Sequence, residues 1–259
     1  MVDVLLAVVA AFVVAAVTTP AGVSGAVVLL PVQASLLGVP NPALTPTNLL
    51  YNVVATPGAL VRFRRNARLR SPLARAMVLG AVPGVVLGAV LRVELLPSRD
   101  AFLVVVAVVL APLGAWLLLR GARAPARARE ARAPLHGVTG LALAVGTVGG
   151  IYGIGGGSLL SPILVGLGWS ILEVAPAALL ATFVTSVVGV LTFQALELLR
   201  GDGAIAPEWL IGIALGVGGV AGSYVGASLQ HRVPEALLRR ALGLVCVVIA
   251  ARYAVEAVT

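Results

Sequence analysis

The chain has 259 residues, of which 60% are hydrophobic and only 11% are charged, and its mean hydropathy is +1.08. A water-soluble domain carries about 45–50% apolar and about 25% charged residues, so this composition excludes an ordinary soluble protein and indicates a polytopic membrane protein. The formal net charge of +8 comes from arginines in short segments between apolar runs, which argues against a nucleic-acid partner and is typical of charges that orient a membrane chain.

Apolar segments follow one another along the whole chain, and most approach the length of about 20 residues that a helix needs to cross about 30 Å of hydrocarbon. We therefore predict an all-α polytopic membrane protein with about 8–10 membrane helical segments. It forms a single transmembrane domain over residues 1–259 and crosses the cytoplasmic (inner) membrane several times. The apolar segments cover residues 4–19, 21–38, 43–61, 73–91, 100–119, 135–151, 156–168, 171–196, 207–229 and 234–254.

The first half carries a glycine-containing motif near its start, GVSGAVVLLP at residues 22–31. Polar side chains follow on the next apolar segment, at Asn48, Tyr51, Asn52 and Thr56. Asn48 and Asn52 are one helical turn apart, so we expect both on one face of a helix. Residues 62–75 then hold six arginines, which predicts a cytoplasmic loop.

The motif recurs in the second half as GIGGGSLLSP at residues 153–162. Gly22, Gly25, Leu29 and Pro31 align with Gly153, Gly156, Leu160 and Pro162, and with one residue of slippage Leu49 and Phe63 align with Leu179 and Phe193. Two copies, repeat one at about 1–122 and repeat two at about 135–259, are therefore predicted, joined by an Arg-rich cytoplasmic linker at 120–134. Internal duplication of this kind is typical of secondary transporters.

Arginine placement predicts that the two repeats have inverted topology. The loop 62–75 is rich in arginine, whereas its counterpart at 197–208 holds Arg200 against several carboxylates. Because cytoplasmic loops carry the excess of basic residues, the first loop is predicted inside and the second outside. The same argument puts 120–134 and 230–240 inside, and 92–99 and both termini outside.

The segment 156–168 is too short to cross the hydrocarbon as a straight helix, because its 13 residues reach only about 20 Å. We interpret it as a broken helix that forms a hairpin with 171–196, and we expect the same of 25–38 with 43–61. Glycine turns at membrane depth must face protein or a water-filled cavity, so the two turns of inverted copies are expected to meet near the midplane. Helix N-termini carry unpaired N–H groups and about half a positive charge, so the pair predicts a site for a small anion.

Hydroxyl and amide side chains beside the turns supply further hydrogen-bond donors. On the segment 171–196, Thr182, Thr185 and Ser186 lie three and four residues apart and so share a helix face. Single Gly, Ser and Thr residues also let membrane helices pack closely, and it is the duplication of the motif that favours a site over packing alone. The candidate substrate-binding residues are Gly22, Val23, Ser24, Gly25, Asn48, Tyr51, Asn52, Tyr152, Gly153, Gly155, Gly156, Gly157, Ser158, Thr182, Thr185 and Ser186.

The doubled motif, GVSGAVVLLP and GIGGGSLLSP, resembles the sulfite exporter TauE/SafE family of bacterial membrane proteins, and the resemblance covers nearly the whole chain. It implies a membrane transporter, and not an enzyme, that moves sulfite or a small organosulfonate, commonly outward across the cytoplasmic membrane. The first copy departs from the more glycine-rich pattern, with Ser24 and Ala26 where the second copy has Gly155 and Gly157. That departure bears on the substrate more than on the fold.

Other interpretations stay open. Residues 22–25 spell Gly-Val-Ser-Gly, the pattern around the serine of intramembrane rhomboid proteases, but a serine nucleophile needs a base within reach, and His136 and His231 lie at loop edges. A transporter for another small solute, even a metal cation, keeps the same fold, although no His, Cys, Asp or Glu cluster predicts a metal site. We predict no catalytic residue, cofactor or metal, and the expected partners are a small anionic substrate and the lipid bilayer. The sequence leaves open the identity of the anion, the direction and coupling of transport, and whether the chain forms a homodimer.

Overall fold

The computed structural model describes residues 2–66, 69–94, 133–201, 203 and 205–256, with a few single positions between 108 and 119. Every regular element in these residues is a helix. Most of the predicted segment 100–119, and residues 120–132 of the predicted linker, lie outside the described residues. The helices are α1 (Val2–Thr18), α2 (Ala26–Ser35), α3 (Asn41–Asn66), α4 (Pro72–Glu94), α5 (Leu135–Tyr152), α6 (Gly156–Gly166), α7 (Ile171–Arg200), α8 (Trp209–Leu229) and α9 (Glu235–Glu256), with 3-10 turns at Thr19–Ala21 and Gln230–Arg232.

Four of the described helices are long and apolar enough to cross a membrane: α4, α5, α7, and α8 with the turn that follows it. Large aliphatic side chains stay exposed on their outer faces, as Leu79 of α4 and Leu210 of α8 illustrate with exposed fractions of 71% and 73%. Extended apolar surface of this kind marks contact with lipid. The prediction of an all-α membrane protein is therefore confirmed.

The two glycine motifs each interrupt the helical path. One interruption separates α1 from α2, and the other separates α5 from α6. The short helices α2 and α6 have 10 and 11 residues, which as helix reach about 15–17 Å, roughly half of the hydrocarbon thickness. The predicted apolar segment 21–38 thus contains both a turn and a short helix, because the chain from Thr19 to Gly25 leaves the α-helical path.

A stripe of glycines joins α4 to α5, and a second stripe joins α8 to α1. A Cβ atom at any of these glycines would collide with a backbone carbonyl of the neighbouring helix, so the helix axes approach closely. In the first stripe Gly80, Gly84 and Gly88 face Thr139, Leu143 and Thr147. In the second stripe Gly218, Gly222 and Gly226 face Val8, Phe12 and Ala16.

The two stripes are equivalent under the sequence alignment. The shift that aligns Gly22 with Gly153 also aligns Val8, Phe12 and Ala16 of α1 with the residues contacted on α5. In addition, α4 packs on α7 and α8 packs on α3. The fourth helix of each half thus lies against the first and third helices of the other half, and the two halves are interlocked.

Contacts at the helix ends give the relative directions of α3, α4, α7 and α8. The end of α4 lies beside the end of α7, where Arg200 and Glu94 form an ion pair at 2.9 Å. It also lies beside the start of α3, where the Arg92 guanidinium donates to Asn41 Oδ1 at 2.7 Å. The long helix α3 therefore begins at the end of the molecule where its counterpart α7 finishes.

The same end of the molecule contains the start of α8, because the Glu208 backbone N–H donates to Thr47 Oγ1 at 2.8 Å. At the opposite end, Arg62 of α3 donates to Ser228 Oγ at 2.9 Å, near the end of α8. The α8 helix thus starts where its counterpart α4 finishes. By these contacts Arg62 lies at one end of the molecule, and Arg200 and Glu208 lie at the other.

Several predicted loops are shorter than expected. Arg92 and Glu94 belong to the last turn of α4 rather than to a loop at 92–99, and α3 and α7 extend to Asn66 and Arg200. The apolar pattern marks only the part of a helix that meets hydrocarbon, and arginines at a helix end keep their aliphatic stems on the protein while the charge reaches the interface. The helices therefore continue past the apolar segments, and the predicted boundaries were wrong by several residues.

Candidate functional site

The site is built on two glycines with left-handed backbone, Gly22 at φ +75° and Gly153 at φ +72°. Gly22 ends the 3-10 turn after α1, where its N–H donates to Thr19 O at 2.9 Å, and Gly153 ends α5, where its N–H donates to Gly149 O at 2.9 Å. A side chain is strained in this conformation, which explains glycine at both positions. After each of these glycines the chain leaves the helical path and then enters the short helices α2 and α6.

Each turn is held by the other half of the molecule. A Cβ atom on Gly22 would collide with Ala175 at the start of α7, and a Cβ atom on Gly153 would collide with Thr45 at the start of α3. Hydrogen bonds add to these contacts, since Thr45 Oγ1 donates to Ile151 O at 3.0 Å and Ser161 Oγ donates to Ala21 O at 2.5 Å. Both turns are therefore fixed by contacts between the two halves.

The two turns meet at Ser24 and Ser158. The Ser24 backbone N–H donates to Ser158 Oγ at 3.2 Å, and the two hydroxyl oxygens are 2.8 Å apart. Ser24 precedes the first residue of α2 by two positions, and Ser158 is the third residue of α6. Both side chains are buried, at 3% and 1% exposure. The starts of the two short helices thus converge in the protein interior.

Hydroxyl groups of α7 line the start of α6. The Gly156 N–H donates to Thr185 Oγ1 at 3.2 Å, and Thr182 Oγ1 is 3.4 Å from Ser158 Oγ. Cβ atoms at Gly155 and Gly157 would collide with Thr182, and at Gly155 also with Ser186. The first N–H groups of a helix lack intrahelical acceptors. The neighbouring hydroxyl oxygens can accept hydrogen bonds from them. The predicted hydroxyl face of α7 is therefore directed at the α6 turn.

Buried polar side chains with unused hydrogen-bonding capacity include Thr19 in the 3-10 turn, Asn52 on α3 and Ser186 on α7. The amide nitrogen and oxygen of Asn52 and the hydroxyl of Ser186 have no hydrogen-bond partner among the described residues. The side chains of Asn52 and Ser186 are both 0% exposed. Under the alignment, Asn52 pairs with Thr182, and Thr56 pairs with Ser186. A buried polar group without a partner costs free energy, so such groups invite an explanation in terms of a ligand.

Asn48 has a different environment, because both ends of its side chain are engaged. Its Nδ2 donates to Ala26 O at 3.1 Å, and its Oδ1 accepts from Gln33 Nε2 at 2.8 Å. These bonds tie α2 to α3. The sequence did not indicate that Gln33 donates a hydrogen bond to the Asn48 side chain.

The aromatic and apolar candidates contribute through packing. Tyr51 is 1% exposed and fills the space beside Gly25, where a Cβ would collide with its hydroxyl oxygen. Val23 belongs to the buried apolar cluster that includes Ile154 and Leu160. Both residues pack around the turns and take no part in the contact between Ser24 and Ser158.

Tyr152 is the last residue of α5 and is partly buried, directly before Gly153. Arg92 is 9% exposed and bonds to Asn41 at the start of α3. We expected Arg92 in a solvated loop, so this buried cation near the Gly153 turn was missed. The only available signal was its position at the end of an otherwise apolar run.

Thr45 and Ser161 were also missed as residues that hold the turns. Thr45 precedes Pro46, and Ser161 precedes Pro162. A hydroxyl residue before an intrahelical proline is a recognisable pattern, because its side chain can bond to backbone groups close by. The pattern does not reveal that both hydroxyls reach the opposite half of the molecule.

The environment of Ser24 gives no support to a protease mechanism. Its hydroxyl pairs with that of Ser158, and the two histidines, His136 and His231, are exposed at helix ends. A nucleophilic serine requires a general base in hydrogen-bond contact. Ser24 instead takes part in the contact between the two turns.

The family comparison agrees with this architecture. A family model described as "Sulfite exporter TauE/SafE" matches residues 7–253, which include both glycine turns and all the helices that hold them. No curated relative and no solved structure matches the chain. The chain therefore belongs to the sulfite exporter TauE/SafE family, whose members are membrane transporters of sulfur-containing anions.

Proposed function

We propose that this protein transports a small sulfur-containing oxyanion, such as sulfite or an organosulfonate, across the cytoplasmic membrane, with the anion held between the N-termini of α2 and α6. The single observation that carries the proposal is the contact of Ser24 with Ser158, because it brings the starts of both short helices to one place. Membership of the family supports the class of substrate.

Helix N-termini suit an oxyanion. Their first N–H groups point away from the helix without intrahelical acceptors, and the helix dipole adds about half a positive charge. Oxygens of a sulfur oxyanion accept charge-assisted hydrogen bonds, which are roughly twice as strong as neutral ones. The hydroxyls of Ser24, Ser158 and Thr182 supply further donors beside these N–H groups. Two such termini form an anion site without a buried arginine between them.

Substrate binding requires the two turns to separate. Two hydroxyls that donate to one oxygen at about 2.7 Å each lie about 4.4 Å apart when the angle at the oxygen is tetrahedral. The hydroxyl oxygens of Ser24 and Ser158 are 2.8 Å apart, so the two turns must move apart before an anion can lie between them. The anion replaces the Ser24–Ser158 bond with stronger bonds to itself, which compensates for the opening.

The free polar groups on α3 and α7 complete the site. Asn52 and Ser186 are fully buried and have no partner among the described residues. An amide N–H and a hydroxyl can both donate to an anion that enters between the turns. Their lack of partners is then offset when substrate is bound.

The two halves act as inverted repeats in this mechanism. The interlocked packing of α4 and α8 and the opposite directions of α3 and α7 support a two-fold relation whose axis lies in the membrane plane. Such repeats alternate access by rocking against each other around a fixed central site. The arginine-rich segment 62–75 is cytoplasmic by the positive-inside rule, and the end that contains Arg200 and Glu94 faces outward.

The membrane potential alone can drive export. With the cell interior negative, outward movement of one negative charge is favoured by about 2.3 kcal/mol per 100 mV. Among the described residues, the buried polar side chains include no Asp or Glu, the groups most often used in a proton relay. The transport cycle that we propose therefore carries the anion without a coupled proton.

Reconstituted liposomes test this function. Protein-dependent efflux of sulfite is expected from vesicles clamped at an inside-negative potential, and it should fall sharply in Ser158→Ala, which removes the hydroxyl shared by both turns. Ser228→Ala is the matched control, because Ser228 lies at the far end of α8. Parallel assays with thiosulfate, sulfoacetate, taurine and chloride define the substrate class. If chloride moves and no sulfur oxyanion does, the protein transports another solute and the proposal is wrong.

A further inference from the structure

A second feature of the molecule lies outside the proposed transport site, between α4 and α7. These helices run parallel, since their C-terminal ends meet at the Glu94–Arg200 pair, and a groove of about 370 Å³ separates them toward their N-terminal ends. The volume falls within the range of about 300–1,000 Å³ that ligand sites occupy. The aliphatic side chains of Val78, Leu79, Leu180 and Val184 line it.

The lining of the groove is apolar, and two arginines flank it at one end. Arg70 and Arg75 contribute their aliphatic stems near the start of α4, and both side chains are exposed. Arg75 and Leu79 are four residues apart on α4, as are Leu180 and Val184 on α7, so each pair lies on one helix face. An occupant that extends along the groove therefore meets positive charge at one end and hydrocarbon at the other.

The apolar lining of the groove lies deeper along both helices than the arginines. Leu79 lies seven residues into α4 and Val184 lies 13 residues into α7, which at 1.5 Å per residue corresponds to about 10 Å and about 20 Å from the helix starts. Both distances are shorter than the hydrocarbon thickness of about 30 Å. The arginines are thus at headgroup level when the apolar wall is at acyl-chain level.

We propose that this groove binds one anionic phospholipid, with an acyl chain along α4 and α7 and the phosphate between Arg70 and Arg75. Basic clusters between membrane helices favour acidic headgroups, by roughly fivefold in affinity for each arginine near the surface. A water-soluble anion gains nothing from the apolar wall, and a neutral lipid gains nothing from the second positive charge. The occupant contacts α7 next to Thr185, so it sits beside the helix that holds the α6 turn.

Native mass spectrometry of the full-length protein tests the assignment with phosphatidylglycerol and phosphatidylcholine of identical acyl chains. One phosphatidylglycerol per protein is expected to be retained in preference to phosphatidylcholine. The variant Arg70→Gln/Arg75→Gln should bind phosphatidylglycerol roughly 30-fold more weakly, the product of two such contributions. The control Arg64→Gln/Arg232→Gln removes the same charge from exposed arginines outside the groove and should retain the lipid.

Two further measurements test whether the acyl chain contributes to binding along with the phosphate. Val184→Trp fills the apolar part without changing charge and should also weaken retention, whereas soluble glycerol phosphate should not displace the lipid. Melting temperatures of all variants establish that they are folded. The proposal is overturned if the two lipids bind equally, if the control pair loses binding as much as the Arg70/Arg75 pair, or if glycerol phosphate competes with the lipid.

Discussion

Gly22 and Gly153 hold the same place in the two halves of the molecule, each packed against the start of the other half's long helix. Their contact residues, Ala175 and Thr45, align with each other under the one-residue slippage that matches Leu49 with Leu179. Contacts that exchange halves in this way arise when a two-fold axis relates two copies of one unit. They support the view that a single duplicated element, a turn clamped by its partner copy, organises the protein.

Substitution of these glycines should destabilise the protein for two separable reasons. Gly201→Ala introduces a side chain at φ +72° where nothing lies within 4 Å, so it measures backbone strain alone, about 1–2 kcal/mol. Gly153→Ala, at the same φ of +72°, adds a collision with Thr45, which costs roughly a further 1–3 kcal/mol. Unfolding in mixed micelles compares the two variants. Equal losses of stability would contradict the tight contact between the halves.

The glycine stripes offer an independent check on the duplication. Gly84→Leu and Gly222→Leu should each disrupt the fold, and to a similar degree, because the two residues face Leu143 of α5 and Phe12 of α1 at equivalent places. Gly140→Leu is the matched control, since a Cβ there has no neighbour within 4 Å. Yield and melting temperature of the purified variants give the comparison. A large loss in only one of the two stripes would count against equivalence.

Much of this architecture is readable from the sequence because its signals are local. Composition identifies a membrane protein, and a motif that repeats with the same spacing identifies two related turns. Gly22 and Gly153, which the sequence alignment pairs, both have left-handed φ values. Positive φ is a property of the residue and its immediate neighbours, so it leaves a mark in the sequence.

What the sequence does not reveal is how the halves interlock and which polar atoms are left over. Asn48 and Asn52 have the same chemistry and lie one turn apart, yet Asn48 is fully bonded and Asn52 has no partner among the described residues. The difference arises from Gln33, which approaches from α2. Likewise, Arg92 is buried because Asn41 lies beside it. Such pairings depend on tertiary packing, which no local pattern encodes.

The proposed orientation can be examined with single cysteines in a Cys246→Ala background. Leu199→Cys, at a position 83% exposed near the end of α7, should react with a membrane-impermeant maleimide on intact cells. Arg70→Cys should react only after the membrane is permeabilised, because the arginine-rich segment is cytoplasmic. The reverse pattern would invert the whole topology. Labelling of both sites from one side would refute the assignment of these segments to opposite faces.

Asn52 and Asn48 should respond differently to the same substitution. Asn48→Ala breaks two buried hydrogen bonds and should cost about 1–3 kcal/mol of stability. Asn52→Ala breaks none with the described residues, so its stability should change little while sulfite efflux falls. Asn52→Asp places a negative charge where the anion would bind and should abolish efflux. Efflux and melting temperature measured on the same preparations separate the two roles, and unchanged efflux in both Asn52 variants would remove this residue from the site.

Separation of Ser24 from Ser158 is the step on which the proposed transport cycle depends, and it can be blocked covalently. The two hydroxyl oxygens are 2.8 Å apart, so cysteines at these positions bring their sulfurs near the 2.05 Å of a disulfide. In a Cys246→Ala background, the reduced Ser24→Cys/Ser158→Cys variant should keep part of the sulfite efflux, because a thiol is a weaker donor than a hydroxyl. Oxidation should abolish this remaining efflux and reduction should restore it, whereas the efflux of each single-cysteine variant should be insensitive to oxidation. If the oxidised, crosslinked protein transports as fast as the reduced one, the turns need not open, and the anion takes a path that does not pass between α2 and α6.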